Sequence, residues 1–211
     1  HGADLIKVYA DYRYGLNGEA QPTFSELELE WLTGMTNSSG RKVVAHASTP
    51  EGMKRATMAG VSTIEHGDKG TAEVFKLMKE KKVALCPTLA AGEATEQYKG
   101  WKKGIDLPTE RIANKHKTFK LALDAGVIIC MGGDVGVFAH GDNAREMELM
   151  VEYGMNPMDV LRSATSINAD VFGYGDKIGR IKKGLFADLI AVEGDPSAEI
   201  NNIRKIRFVM K

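Results

Sequence analysis

An α/β fold with a parallel sheet, finished by a small β appendage, is what this sequence predicts, and three observations carry it. Short β-rich apolar runs alternate with helical patterns along most of the 211 residues, as in chains of βα units. The runs are continuously apolar or nearly so, which suits strands covered on both faces. From Gly175 onward the helical patterns give way to short strands with turns between them.

The runs come in order: Leu5-Ile6-Lys7-Val8, Val43-Val44-Ala45, Val61-Ser62-Thr63-Ile64, Val83-Ala84-Leu85 and Val127-Ile128-Ile129-Cys130. Helix-start chemistry separates them. Thr23 followed by Glu26 has capping-box spacing ahead of Leu27, Leu29 and Leu32. Thr49-Pro50-Glu51 sets an N-cap, a first-turn proline and an early acid in sequence. Thr109-Glu110 opens a helix that should reach Asp124 and stop at Gly126, and Asn156-Pro157 with Asp159 opens another. Thr165 to Phe172 forms a last short helix ending at Gly173. Between Ala90 and Pro108 there are three glycines and little periodicity, so this stretch, with Tyr98 and Trp101, reads as an extended loop after a strand. Gly179–Gly184, Ala187–Val192 and Ile206–Met210 read as the strands of the appendage.

Composition narrows the function classes. With 28 basic and 28 acidic side chains the formal net charge is zero, which argues against nucleic acid as a partner and against a polybasic membrane surface. No apolar run approaches the ~20 residues of a membrane span. Cys86 and Cys130 are the only cysteines; each sits on an apolar run and reads as a small buried hydrophobe, and two cysteines make no disulfide framework. Compartment stays open between cytoplasm and periplasm, since any signal peptide would precede His1.

The chemistry lies at the strand ends. Lys7 is inside the first run, His46 closes the second, His66 follows the third after Glu65, and Asp134 follows the fifth after Gly132-Gly133. In a parallel α/β barrel, catalytic groups project from the C-terminal ends of several strands onto one face. The separations of 39, 20 and 68 residues (46 − 7, 66 − 46, 134 − 66) belong to successive βα units. Singly, each histidine reads as a hydrogen-bonding strand-end residue and Asp134 as a turn or cap residue. Lys7 resists such a reading, because an unpaired buried ammonium is costly.

Taken in order, Ala3-Asp4-Leu5-Ile6-Lys7-Val8, Val44-Ala45-His46-Ala47, Ile64-Glu65-His66-Gly67, Gly132-Gly133-Asp134 and His140-Gly141 resemble the amidohydrolase superfamily of metal-dependent hydrolases. The resemblance is to its imidazolonepropionase- and prolidase-like branch, and the tail Gly179-Arg180-Ile181 with Gly184 to Leu189 fits it too. It implies the C-terminal part of a (β/α)8 TIM barrel over residues 1–174, then strands of a small β-sandwich domain over 175–211. It also implies two divalent metal ions. Lys7 would be the strand-four lysine, carboxylated so that its carbamate bridges both ions and the costly ammonium becomes a neutralised anion. His46 and His66 would bind the second metal from strands five and six. Asp134, from strand eight, would bind the first and take a proton from the bridging hydroxide as it attacks a carbonyl. Nitrogen and oxygen ligands suit zinc best, ahead of manganese or cobalt.

One departure stands out. The family's first strand carries a His-x-His pair, and none of the five histidines here (His1, His46, His66, His116, His140) forms one; His116 falls within a helix. If Lys7 belongs to strand four, three barrel strands and the leading part of the β domain are missing, consistent with a full barrel of about 250 residues. The expectation is the second half of an enzyme, active only if an N-terminal segment or a second chain supplies the rest. An incomplete barrel exposes strand edges and apolar surface, so association, a homo-oligomer included, is expected.

For substrate, the runs Lys7 to Arg13 and Gly133 to Gly141 resemble members that hydrolyse peptides at a C-terminal residue. Tyr9, Tyr12 and Arg13 lie just past a strand and would meet a substrate carboxylate, arginine by its fork and tyrosine by its hydroxyl; alternatively the tyrosines pack and Arg13 is solvated. His140 would orient substrate or support the ligands, or be structural. The expected activity is a metal-dependent amide hydrolase, a dipeptidase or carboxypeptidase acting on small peptides or N-acyl amino acids. Within the class the alternatives are cyclic-amide hydrolysis and deamination; outside it, a non-catalytic half-barrel without a complete metal site.

Overall fold

The computed structural model describes residues 2–211. In chain order it contains β1 (Leu5–Tyr9), β2 (Asp11–Tyr12), β3 (Gln21–Pro22), α1 (Glu26–Ser38), β4 (Lys42–Ala47), α2 (Pro50–Met58), β5 (Thr63–His66), α3 (Ala72–Lys81), β6 (Ala84–Cys86), α4 (Leu89–Tyr98), α5 (Glu110–Ala125), α6 (Ala144–Glu152), α7 (Pro157–Arg162), α8 (Asn168–Phe172), β7 (Leu189–Val192) and β8 (Ile206–Met210). The chain divides into two units, one holding the described residues up to Pro87 with Ala113–Ile129, the other Thr88–Ile112 with Cys130–Lys211.

The first unit is built on a parallel sheet in the order β1-β4-β5-β6. Tyr9, His46, Glu65 and Cys86 occupy one rung across all four strands. Val43, Val44, Ala45, Ile64, Ala84, Leu85 and Cys86 are buried, as continuous apolar runs require. β1 departs from that expectation. It is the edge of the described sheet and is mostly uncovered, with Val8 buried and Ile6, Lys7 and Tyr9 exposed. The fifth apolar run joins only through a single parallel bridge, Leu85 to Ile129, with the Leu85 amide donating to the Ile128 carbonyl at 2.8 Å.

Helices α1 to α3 bury Leu29, Met53, Phe75 and Met78 completely, each worth about 1.5–3 kcal/mol relative to exposure. Thr49 caps α2 as expected, its hydroxyl accepting from the Gly52 amide at 3.0 Å. The capping box of α1 falls two residues later than the sequence suggests. Ser25 and Glu28 form it reciprocally, while the Thr23 hydroxyl donates to the Tyr9 carbonyl and is thereby taken from capping.

In the second unit α4 occupies the start of what the sequence suggests is a loop. Its periodicity is hidden because its buried face carries charge. Glu93 is buried yet gripped by both arms of Arg145, at 2.8 and 2.9 Å, and by Lys103 at 2.9 Å; buried Glu96 pairs with Lys99 at 2.7 Å. Helix α7 is capped by Asn156, whose side chain accepts from the Met158 amide at 2.9 Å. A single wide turn over Ser163–Ile167 leads into α8. There Asn168 accepts from the Met131 amide at 3.1 Å and donates to the Met131 carbonyl at 2.9 Å, pinning the segment that leads to Asp134. β7 and β8 pair antiparallel. Gly179–Gly184 is not a strand: Gly179 takes φ +87°, where it lies against Ala169 with no room for a Cβ, and Arg180 forks onto Asp170 at 3.0 and 2.6 Å. Cys86 and Cys130 are both buried, but neither is a free thiol: each is disulfide-bonded, which corrects the reading of them as simple small hydrophobes. Among the described residues no helix is long and apolar enough to cross a membrane.

Arg204, on the 3-10 turn Ile200–Arg204, reaches back to α6. It donates to Glu148 and, at 2.6 Å, to Asp142. Its hydrogen bond, aided by Arg145, holds the Glu148 carboxyl below its ordinary value of 4.5. A depressed carboxylate stabilises the fold fully above its unfolded pKa and loses that contribution as pH falls through the folded one. Stability should therefore drop below pH 4.5 by on the order of 1 kcal/mol from this group, discounted for the exposure of Arg204. Urea titrations between pH 7 and 3 check this. The acid-dependent loss should shrink in Arg204→Gln, and an identical loss in the variant would refute the assignment.

Candidate active-site face at the strand ends

The C-terminal ends of β1, β4 and β5 bring aromatic and imidazole rings together. Tyr9 and His46 are register partners, so their side chains rise from the same face; the ring centroids are 4.7 Å apart and tilted 32°. Tyr12, on the short β2–β3 hairpin, meets the Tyr9 ring edge-on at 5.2 Å and lies 6.3 Å from His46. His66 pairs in register with Ala47, and strand alternation alone would set it on the face opposite His46. Its backbone is instead left-handed, φ +76°, and its ring sits 4.5 Å from His46 at 67°. For a non-glycine residue that conformation costs on the order of 1–3 kcal/mol. Two hydrogen bonds hold the turn: the Gly67 amide donates to the Ala47 carbonyl at 3.0 Å, and Lys115 donates to the His66 carbonyl at 3.2 Å.

The surroundings of both imidazoles disfavour their charged form. Burial lowers the pKa of His46, with Lys7 and Arg13 pushing the same way and Asp11 and Asp68 opposing them. Burial, then the Lys115 ammonium and His46, bring His66 down to about 3. A neutral imidazole has a ring lone pair to offer, which suits it to a metal ion or a proton.

Lys7 corrects the sequence reading. Among the described residues it is exposed, and its Nζ stands 5.9 Å from the centre of the Tyr9 ring. Its ammonium is therefore solvated here rather than buried and unpaired. Lys7 is nonetheless part of this cluster, since its charge acts on both histidines. Arg13 is exposed and acts on His46.

Sequence reasoning missed two groups beside the rings. Asp11 is fully buried; the Ser48 amide donates to its two oxygens at 3.0 and 2.9 Å, and the Thr49 amide and hydroxyl both donate to Oδ2 at 2.7 Å. Lys115 is 3% exposed, paired with Asp68 at 2.5 Å and donating to the Pro87 carbonyl at 2.6 Å. Its signal was available: Lys115, Thr118, Phe119 and Ala122 share the buried stripe of α5 at helical spacing.

Asp134 and His140 belong to the other unit and are both exposed. Asp134 is left-handed, φ +59°, in a turn whose Val137 amide donates to the Asp134 carbonyl at 3.3 Å. Tyr98, at the end of α4, donates to the Val137 carbonyl at 2.7 Å and so braces that turn. His140 lies in the next turn, closed by Asp142 N–H donating to the Ala139 carbonyl at 3.2 Å. Among the described residues no group of three or more His, Cys, Asp or Glu side chains is arranged to hold a metal ion.

Known proteins place the chain in context. The family described as Amidohydrolase family matches residues 1–211. Ochratoxinase of Aspergillus niger is 30% identical over 217 residues, spanning 99% of this chain and 44% of that protein. The crystal structure of a Xaa-Pro dipeptidase with bound methionine in the active site is 35% identical, with TM-score 0.88 over 100% of this chain and 53% of that one. A prolidase complexed with N-methylphosphonate-L-proline is 26% identical, with TM-score 0.83 over 100% and 54%. The chain thus spans about half the length of the proteins it matches.

Proposed function

This chain belongs to the amidohydrolase family, and on that footing we propose that it supplies part of the active site of a metal-dependent hydrolase of amide bonds. The observation that carries the reading is the pair of imidazoles, His46 and His66, set 4.5 Å apart with a strained backbone at His66. Strain of that kind persists where the surrounding structure imposes it, commonly at functional sites.

The donors fit the group in kind: two adjacent uncharged nitrogen ligands suit a divalent ion such as zinc. His46 and His66 would hold one ion. Lys7 as its carbamate and Asp134 would complete the set, and the larger architecture is the later part of a (β/α)8 barrel followed at residues 175–211 by part of a small β domain. Bound divalent cations would polarise the scissile carbonyl and lower the pKa of a bound water. Asp134 would be the group that accepts the proton of such a water on its carboxylate. Tyr9 and Tyr12 present hydroxyls and Arg13 a guanidinium to the carboxylate of a short peptide or N-acyl amino acid. The peptide class is supported by the Xaa-Pro dipeptidase and prolidase likenesses.

Metal content and hydrolysis of Xaa-Pro dipeptides and N-acyl amino acids test this together. His46→Ala and His66→Ala should each lower zinc affinity by more than the 10–100-fold lost on removing an outer-shell partner, with activity falling alongside. Variants that keep wild-type zinc content would defeat the ligand assignment. A carboxyl mass on Lys7 in the zinc-loaded protein would support the carbamate, and zinc-loaded protein without it would favour the single-metal alternatives. A chain that retains no ion would favour the non-catalytic reading.

A further inference from the structure

Helix α1 turns a row of large apolar side chains away from the body it packs on. Leu29 and Thr33 are its buried positions. At about 100° per residue, Leu27 and Trp31 stand two places to either side of Leu29, and Met35 two places past Thr33, all about half a turn round from the buried face. They are 54%, 66% and 75% exposed. A lone exposed apolar residue calls for no explanation, but three at i, i+4 and i+8 form one stripe. Gly34 lies on the same face. Glycine is the poorest helix former after proline, and apart from its chain neighbours and the backbone of its own helix nothing described lies within 4 Å of where its Cβ would stand. Packing within the chain therefore gives no reason for a glycine there, whereas close approach of a second surface does.

The stripe suits a copy of itself. A helix laid beside α1 in the layer over the sheet would meet its flanks, about a quarter turn from the buried face, and leave Leu27 and Trp31 uncovered. What covers them comes from outside that layer. Run antiparallel about a two-fold axis, two α1 helices set each Trp31 indole over the opposing Gly34, bulk into a gap, and Leu27 then meets Ser38. Charge selects the same direction. Glu26, Glu28 and Glu30 lie in the first half of α1, which has no basic residue, and Arg41 follows its end, its guanidinium beside the Ser39 carbonyl at 3.5 Å. Antiparallel pairing brings those acids toward Arg41 of the second copy, and parallel pairing sets acid against acid. We propose that the outward face of α1 is a self-association surface, covered by α1 of a second copy lying antiparallel, with Trp31 of each copy over Gly34 of the other. One helix face is smaller than the roughly 1,600 Å² of a standard interface, so the dimer is weak, with a dissociation constant on the order of micromolar or higher.

Sedimentation equilibrium of the full chain from about 1 μM to 1 mM tests this. The wild type should pass from monomer toward dimer across that range. Trp31→Glu should weaken the association at least about thirtyfold, as loss of a central aromatic anchor does. Gly34→Ala should raise the thermal unfolding midpoint of the dilute monomer, because alanine is the better helix former, and yet weaken the dimer about tenfold through the added methyl. A folding defect would not move those two readings in opposite directions. Orientation is read separately. The chain has no free thiol, so Leu27→Cys mixed with Ser38→Cys under mild oxidation should give the mixed disulfide, and neither variant alone should link to itself. A wild type that stays monomeric throughout overturns the proposal. So does an association that Trp31→Glu and Gly34→Ala leave unchanged, which would place it on the exposed strand edges instead. Like-with-like cross-links at residue 27, the mark of parallel helices, also overturn it.

Discussion

Replacing Lys115 with alanine should destabilise the protein by about 3 kcal/mol, the low end of what removing one partner of a buried ion pair costs. The ammonium is buried and answers three oxygens at once, Asp68 at 2.5 Å, the Pro87 carbonyl at 2.6 Å and the His66 carbonyl at 3.2 Å. Those oxygens end β5 and follow β6, so one side chain from α5 ties two neighbouring strand ends. The low end applies because Asp68 keeps 23% of its side chain in solvent and can partly rehydrate. Urea unfolding of the variant measures the loss. A double variant, Lys115→Met with Asp68→Asn, should recover part of it, since a buried pair replaced as a unit is often close to neutral. A single variant within 0.5 kcal/mol of wild type, the range expected of an ordinary surface substitution, would show that the pair carries no stability.

Glu146→Ala should be at least as damaging, about 3–5 kcal/mol from two stranded buried donors and the hole left behind. Glu146 is fully buried in α6, and its oxygens accept from the Leu89 and Ala90 amides at 2.9 and 2.7 Å. Helix α4 needs them. Its N-cap residue, Thr88, is left-handed at φ +49° and makes no side-chain cap hydrogen bond, so the carboxylate from another helix performs the capping. Glu146→Gln keeps one acceptor but turns an amide N–H₂ against the second donor, and should recover little. Amide exchange gives the sharper reading. Protection should fall first at residues 89–92, and a uniform loss across the chain would contradict a capping role.

Local signals are legible in this sequence and remote ones are not. Thr49-Pro50-Glu51 announces α2 because cap, proline and acid act within one turn. Helix α4 was hidden because the groups that neutralise Glu93 lie at Lys103 and Arg145, and only the folded chain brings them close. His46 and His66 stood out as strand-end histidines, yet their meeting depends on the left-handed backbone at His66, which no pattern of residue types encodes. Asp11 gave no sign because its partners are 37 and 38 residues away. The exposure of Lys7 is likewise not legible, since an apolar run does not say how far the faces of its strand are covered.

The rung joining Tyr9, His46, Glu65 and Cys86 bears on how this sequence can change over time. Side chains alternate faces along a strand, so inserting or deleting one residue within β4 would put Ala45 or Ala47 where His46 stands. Length changes in that strand are closed to variation, whereas the turn between Tyr12 and Gln21 can lengthen without disturbing the rung. Substitutions can sample this site; frame-preserving insertions and deletions can reach it only through its loops.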